Sequence, residues 1–417
     1  MDADRRRWPF RYMFFLSLGL LVAVWFGSMR VGVADTTWSD VWRALFSDEQ
    51  GKQLDLIREL RLPRETAAAF VGAGLAVAGA IMQGMTRNPL ADPGLLGLTA
   101  GANAALAITM AFFPSAHYLA ITIACLLGAA AGAGMVFGIG AARKGGFSPL
   151  RIVLAGSAVS TLLFAISEGI GLYFHISKDV SMWTSGGVAG ASWKQLSVVI
   201  PLITTGLAIA VLYARPLTIL SLSEEVAVGV GQKTAAVKTA LFLAVFLLTG
   251  ASVAIAGNIT FIGLMIPHLV RAIAGADYRF VIPLSAAIGA SAMVMADTAA
   301  RTIYAPFETP VAAIIAVIGL PFSYSSCGEK GGDGNENTHD IGVRMARFAH
   351  SCHGCSGVGH RRSAALVRTH RADTVRLRFD ARRVHLVFAS LAAHRDYVAR
   401  RDGARLVGCD FARHYPQ

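Results

Sequence analysis

The chain has 417 residues, of which 54% are hydrophobic and 15% charged, with a formal net charge of +12. The charge is not spread evenly: the last 95 residues hold 15 arginines, 8 of the 11 histidines and 4 of the 5 cysteines, but one lysine, Lys330. A basic excess that comes largely from one end is no nucleic-acid footprint of the whole protein, and residues up to Phe322 are instead rich in long runs of Ala, Leu, Gly, Val and Ile.

A bilayer's hydrocarbon core is about 30 Å thick, so a spanning helix needs about 20 mostly apolar residues. Tyr12 to Ala34 meets this, just after Arg5, Arg6, Arg7 and Arg11. A cleaved signal peptide is the competing reading, but the stretch is long for one and many comparable stretches follow, so it reads as the first span. Further spans are expected at 65–84, 95–112, 118–141, 150–174, 196–213, 236–256, 259–274, 281–299 and 310–322, after a first at 12–33. The fold class is all-α: a polytopic membrane protein of about ten transmembrane helices over residues 1–322, the last helix cut short at Phe322. The basic flank places the N-terminus in the cytoplasm of a bacterial inner membrane. Ten spans then bring Arg87, Arg143, Lys144, Arg215, Lys233, Lys238, Arg271 and Arg279 to the cytoplasmic side, as the positive-inside tendency asks. Cys125, inside an apolar run, reads as a small packing residue.

Gly72, Ala76, Ala80 and Gly84 recur at every fourth position, and Gly128 and Gly132 repeat the spacing. Such stripes let helix backbones approach closely where lipid gives no hydrophobic drive to associate. They indicate a compact bundle and nothing about cargo.

Two places break the pattern. Arg58, Arg61 and Arg64 precede the second span on the side assigned to the exterior, and Arg301 falls in another outer loop. They read either as interfacial arginines that snorkel or as a cluster that receives carboxylates of a soluble partner, since the planar guanidinium pairs bidentately with carboxylate. The second break is Arg215 to Lys238, with a short helix expected from Ser221 or Ser223, capped by serine and with Glu224 and Glu225 at its positive end. Its mixture of acids and exposed apolar residues bounded by glycines suits either a plain connector or docking onto a cytoplasmic protein.

At this point an ordered set of motifs resembles the FecCD-type permeases. The set runs Arg61-Leu-Pro-Arg64, then Gly74 and Gly79 before Gln83, then Arg87-Asn88-Pro89-Leu-Ala-Asp-Pro93 with Gly97. It continues with Gly257 to Gly263, Pro267-His268 and Arg271, then Gly275-Ala-Asp277, Asp297 with Arg301, Glu308-Thr-Pro310 and Gly319-Leu-Pro321. The resemblance implies ten helices per subunit and a second permease subunit, identical or different, around a central pathway. It also implies cytoplasmic ATP-binding subunits, an extracytoplasmic substrate-binding protein, and a cargo of ferric siderophore, with vitamin B12 or haem as the alternative. Carried over, Arg61, Arg64 and Arg301 look like the sites that receive the binding protein's acids. Ser221, Leu222, Ser223, Glu224, Glu225, Val226, Ala227, Gly229 and Gly231 look like the segment that couples to the ATPase.

The chain has no phosphate-binding loop of its own; Gly229-Val-Gly-Gln-Lys-Thr234 lacks the glycine before the lysine and the required spacing. No catalytic residue, resident metal or cofactor is expected in this chain, and ATP and magnesium are assigned to the partner ATPase. Intramembrane polar residues are the pathway candidates: Asn103, Glu168 and Asp297, with structural pairing or an interfacial position as the competing reading of Glu168. His268 reads as a local hydrogen-bonding residue. A secondary transporter would show coupling-ion carboxylates at broken helices near the midplane, and few central acids are present. An integral-membrane enzyme would need a clustered nucleophile and base within the spans, and none is found.

Beyond Phe322 the family pattern stops. Residues 323–417 are expected to be a largely disordered tail produced by a shift of reading frame, since an overlapping frame completes an apolar helix with a basic end. Cys352, Cys355, His350 and His360 give only a partial zinc spacing.

Overall fold

The computed structural model describes residues 9–31, 36–47, 49–141, 149–305 and 307–328. The tail beyond Gly328, including Cys352, Cys355 and their histidines, lies outside them, as do Arg143 and Lys144. Among the described residues every regular element is helical. Seven helices among these residues are long and apolar enough to cross a membrane.

Each of the ten expected spans falls on a helix: α1 (Phe10–Arg30), α4 (Leu62–Thr86), α5 (Leu98–Phe112), α6 (Tyr118–Ala141), α7 (Pro149–Tyr173), α9 (Trp193–Leu212), α12 (Thr234–Ala256), α13 (Ile262–Ala274), α14 (Tyr278–Thr302) and α15 (Val311–Gly328). Two of them, α5 and α13, have 15 and 13 residues and are shorter than expected. The reason is local. A 3-10 turn, Pro93–Leu96, ends at Gly97 with φ +74° and takes up the start of the first. Gly257 at φ 65° and Phe261 at φ 69° unwind the chain before the second. The last helix is corrected in the other direction, because α15 continues past Phe322 to Gly328.

Between the spans lie short elements that the hydropathy pattern does not show. α2 (Trp38–Phe46) starts with a reciprocal capping box between Thr37 and Asp40. α3 (Lys52–Leu56) runs through a π turn, Ile57–Arg61, into α4. α8 (Ser177–Thr184), α10 (Ala214–Leu222) and α11 (Glu224–Gly229) complete the set. The aromatic residues Trp38, Trp42 and Phe46 share one exposed stripe of α2, a placement that suits the membrane–water boundary.

The centre of the bundle is α4, whose apolar window is 83% buried, against 17% for α1. The small-residue stripe explains how it can be surrounded. Gly72 and Ala76 lie against Gly289 of α14, and Gly79 lies against the backbone of Gly263 in α13. Gly84 lies against Leu217 of α10 and Tyr278 of α14. A second contact of the same kind joins α5 to α6, where Gly97 and Gly101 meet Gly132 and Gly128.

One polar bond completes the α4–α13 contact. Pro267 has no amide hydrogen, so the carbonyl of Gly263, four residues earlier, loses its helical donor. Gln83 Nε2 supplies it, donating to the Gly263 carbonyl at 3.1 Å and to that of Leu264 at 3.2 Å. Buried orphan carbonyls are costly, and more so in lipid than in water.

Two outcomes follow from this packing. Gly79→Ala should lower stability by about 1–3 kcal/mol through overpacking, whereas Gly134→Ala, with nothing within 4 Å of the added Cβ, should be neutral or mildly stabilising; thermal unfolding in detergent reads both. By the same measurement Gln83→Leu should cost about 1–3 kcal/mol, and most of that loss should disappear in a Pro267→Ala background, where the helix regains its own amide. An equal loss in both backgrounds would show that Gln83 serves something other than the orphan carbonyl.

Candidate functional site

At one end of the bundle three arginines and three carboxylates gather from the π turn, α4, α14 and the loop before α15. Arg64, on the first turn of α4, binds Asp297 of α14 in a fork: Nε to Oδ2 at 2.8 Å and Nη2 to Oδ1 at 3.0 Å. Its Nη1 also donates to Glu308 Oε1 at 2.6 Å. Arg301, one turn beyond Asp297, bonds Glu65 and donates to the carbonyl of Ser28 at 2.9 Å. Arg61 Nη1 donates to the carbonyl of Met29 and to the Thr36 hydroxyl, the latter at 2.7 Å, tying α4 to the end of α1. Ion pairs join Arg64 to Asp297 and Glu308, and Arg301 to Glu65.

The outward-facing reading of these arginines needs a correction in geometry. Arg61, Arg64 and Arg301 are only 6%, 9% and 7% exposed. Glu65 and Asp297 are fully buried, and only Glu308, with its side chain 47% exposed, offers the cluster an open edge. A guanidinium in this apolar setting is stable only when paired, and Arg64 and Arg301 find carboxylates more than 230 positions away in the chain. Arg58 differs from the other three. It donates to the carbonyl of Ala44 in the last turn of α2 and to that of Glu49 just beyond the helix, both at 2.8 Å, and so acts as a helix cap.

Beside the cluster lies a cavity of about 510 Å³. Arg64, Tyr118, Asp179, Trp183, Glu308 and Val311 are among the residues that line it. The rings of Tyr118 and Trp183 are 6.5 Å apart.

The second assembly is α10 and α11 with their flanks. Ser223 caps α11, its hydroxyl accepting from Val226 N at 3.1 Å; Ser221 sits in the last turn of α10, bonded to the Thr218 carbonyl. Hydrogen bonds from its own backbone amide and from Ser223 hold the Glu225 carboxyl below its ordinary value. Glu224 pairs with Lys238 of α12 at 2.6 Å, Ala227 is fully buried, and Gly231, at φ 83°, ends the segment. Around this anchor Leu222, Val226, Val228 and Val230 are exposed, with Gly229 among them. Asp277, whose carboxyl is held low by the Arg279 side chain, accepts from Thr218 and joins α10 to α14.

The remaining motif residues shape other helix ends. Arg87 takes a left-handed conformation, φ 53°, to end α4. Asn88 Oδ1 accepts from Leu90 N across Pro89, and Asp92 caps the turn that opens with Pro93. Arg271 ends α13 beside Tyr278, and His268 stands one residue after Pro267. The three pathway candidates do not converge. Asp297 is committed to Arg64, Asn103 is fully enclosed in α5, and Glu168 lies on an exposed side of α7.

The buried pair gives a direct check. Arg301→Gln should destabilise by about 3–5 kcal/mol, because it strands the buried Glu65. Arg301→Gln combined with Glu65→Gln should recover most of the loss, as read by unfolding in detergent and by yield in the membrane fraction.

The model of the FecCD transport family matches residues 20–323. The chain is 47% identical over 300 residues to the iron(3+)-hydroxamate import system permease protein FhuB of Bacillus subtilis, covering 72% of this chain and 78% of that protein. It is 38% identical over 321 residues to the Fe(3+)-citrate import system permease protein YfmD of the same organism, covering 76% and 95%. The hemin transport system permease protein HmuU of Yersinia pestis is 36% identical over 321 residues, covering 75% and 94%. Among solved structures, a metal-chelate type ABC transporter in an inward-facing conformation superposes with a TM-score of 0.66 at 26% identity, covering 77% of this chain and 100% of that one. With its ordered motifs, its helical bundle and this match over most of its length, the chain belongs to the FecCD transport family.

Proposed function

We propose that this chain is the membrane-spanning subunit of an ATP-driven importer that carries ferric siderophores across the bacterial inner membrane. The observation that carries the cargo assignment is the 47% identity to an iron(3+)-hydroxamate permease, against 38% and 36% to the ferric citrate and hemin permeases. The N-terminus lies in the cytoplasm, an orientation supported by the arginines at positions 5, 6, 7 and 11.

Power comes from cytoplasmic ATP-binding subunits that hold the ATP and magnesium. Their docking site is the Ser221–Gly231 segment, where Leu222, Val226, Val228 and Val230 make an exposed apolar ridge 46–70% accessible. The Glu224–Lys238 pair and the seated Ala227 hold that ridge to the bundle, so a push on it moves α12 rather than a loose loop. A ligand shifts a two-state equilibrium only by its differential affinity for the two states, and nucleotide-dependent docking at this ridge provides one. A second permease subunit, identical or different, completes the pathway.

At the opposite end the substrate-binding protein docks through its acids. Because Arg61, Arg64 and Arg301 are already bonded within the chain, docking proceeds by exchange. A partner carboxylate displaces the half-exposed Glu308 from Arg64 while Asp297 stays in its fork.

The test is uptake of radio-iron chelates by a strain lacking this gene, complemented with the gene and its partner ATPase. Trihydroxamate iron uptake should be restored, should need the ATPase, and should exceed uptake of labelled vitamin B12 and haem by at least about tenfold, the margin of a well-discriminated cargo. Uptake of haem or vitamin B12 in place of iron chelates would reassign the cargo, and uptake without the ATPase would overturn the mechanism.

A further inference from the structure

α2 is divided lengthwise into three sectors. At about 100° per residue, Trp38, Trp42 and Phe46 fall within an arc of about 80°, and Ser39, Arg43 and Asp40 fill about the next 100°. Val41 and Ala44 take the side that remains and are buried with Met29, Leu54 and Ile57. The three aromatic residues are exposed, and the rings of Trp42 and Phe46 stand 4.4 Å apart. Ser39 and Arg43 are exposed as well.

The helix cannot roll to hide its rings. The capping box of Thr37 and Asp40 fixes its start, Arg58 holds its end, and the packed sector sets its rotation on α1 and the π turn. A contiguous row of large apolar side chains held on the surface in this way marks an interaction site.

Two observations identify the occupant as lipid. Arg30 closes α1 within about 40° of Tyr12 and Leu16, on a side of that span that is exposed, and its guanidinium carbon is 5.4 Å from the centre of the Trp38 ring. The aromatic sector thus continues the exposed side of a membrane-spanning helix. Secondly, the end of α14 lies at the same level, since Arg301 in its last turn donates to the Ser28 carbonyl. Just beyond that turn Tyr304 and Phe307 are also exposed. Aromatic rings and arginines at the level where spans end have the composition of a membrane boundary. A helix sunk in hydrocarbon would carry no polar sector, and one bathed in water would carry no aromatic row. The two side by side suit a helix lying in the boundary plane.

We propose that α2 lies flat on the bilayer as an interfacial anchor, with Trp38, Trp42 and Phe46 seated among phospholipid and Ser39 and Arg43 in the aqueous layer. The same seat sets the depth of Arg61, whose guanidinium is bonded to Thr36 just before α2.

The test uses the full chain in phospholipid vesicles, in a cysteine-free background, with a nitroxide placed at Trp42→Cys, Phe46→Cys or Ser39→Cys. Labels at 42 and 46 should relax with dissolved oxygen, be shielded from a water-soluble nickel chelate, and report a depth of about 5–10 Å inside the headgroup boundary. The label at 39 should be open to nickel. Equal access of nickel to all three positions would place the rings in water and overturn the proposal. Shielding of 42 and 46 from both reagents would overturn it in favour of a second copy of the chain. Should the cysteine variants fail to insert, the wild type serves. Its tryptophan emission should be quenched by phosphatidylcholine brominated at the upper acyl carbons, and the quenched fraction should fall in Trp38→Phe combined with Trp42→Phe; an unchanged fraction would overturn the proposal.

Discussion

The contact of α4 with α13 depends on a single backbone deficit. Pro267 removes the amide that would satisfy the Gly263 carbonyl, and that carbonyl is where Gly79 brings α4 into backbone contact. Gln83 answers the deficit from one turn further along α4. The three residues act together. Without a glycine at 79 the helices stand apart, and at that distance the Gln83 amide no longer reaches. In lipid, where water is not at hand to take an orphan carbonyl, such a contact fixes both the spacing and the axial register of two helices. The stacked contacts of Gly72 with Gly289 and Gly84 with Tyr278 extend that register along α4.

The ionic cluster at the other end of α4 uses the same helix as its base. Its arginines are too well paired to act as bare cations for a partner. Their first effect is to bind α1, α4, α14 and the loop before α15 at one level. Glu308 is the exception, accessible yet bonded to a buried group, so any change of partner at the surface is felt at Asp297 within one guanidinium. The α10–α11 segment works in a comparable way, with an exposed apolar ridge attached to the bundle through an ion pair.

Much of this was legible in the sequence, for physical reasons. Apolar runs long enough to cross a bilayer gave the helices, because lipid demands such runs. The repeat of small residues marked the helix contacts, because only small side chains let backbones meet. The serine–glutamate pattern marked α11, because capping is local in sequence. What was not legible is non-local or aperiodic. The partners of Arg64 are 233 and 244 residues away, and the carbonyls served by Gln83 are 180 and 181 residues away. Glu65, adjacent to Arg64 and buried, was the signal passed over: an acid inside an arginine cluster at the head of an apolar run invites a paired reading. The short helices α2 and α8 have too few residues for hydropathy to separate them from loops, although Thr37 and Asp40 carried the signature of a helix start.

The π turn at Ile57–Arg61 has a consequence for how the two apolar clusters coexist. A π turn holds one residue more than an α-helical path of the same kind, which offsets everything before it by about 100° relative to α4. With that offset Leu54 and Ile57 meet Met29, Val41 and Ala44 in a small cluster of their own, while α4 keeps its glycines toward α13 and α14. Deleting one residue there would restore a regular helix and rotate Leu54 away from its cluster. The irregularity thus works as a phase adapter, letting one continuous rod serve two hydrophobic surfaces whose periods do not match.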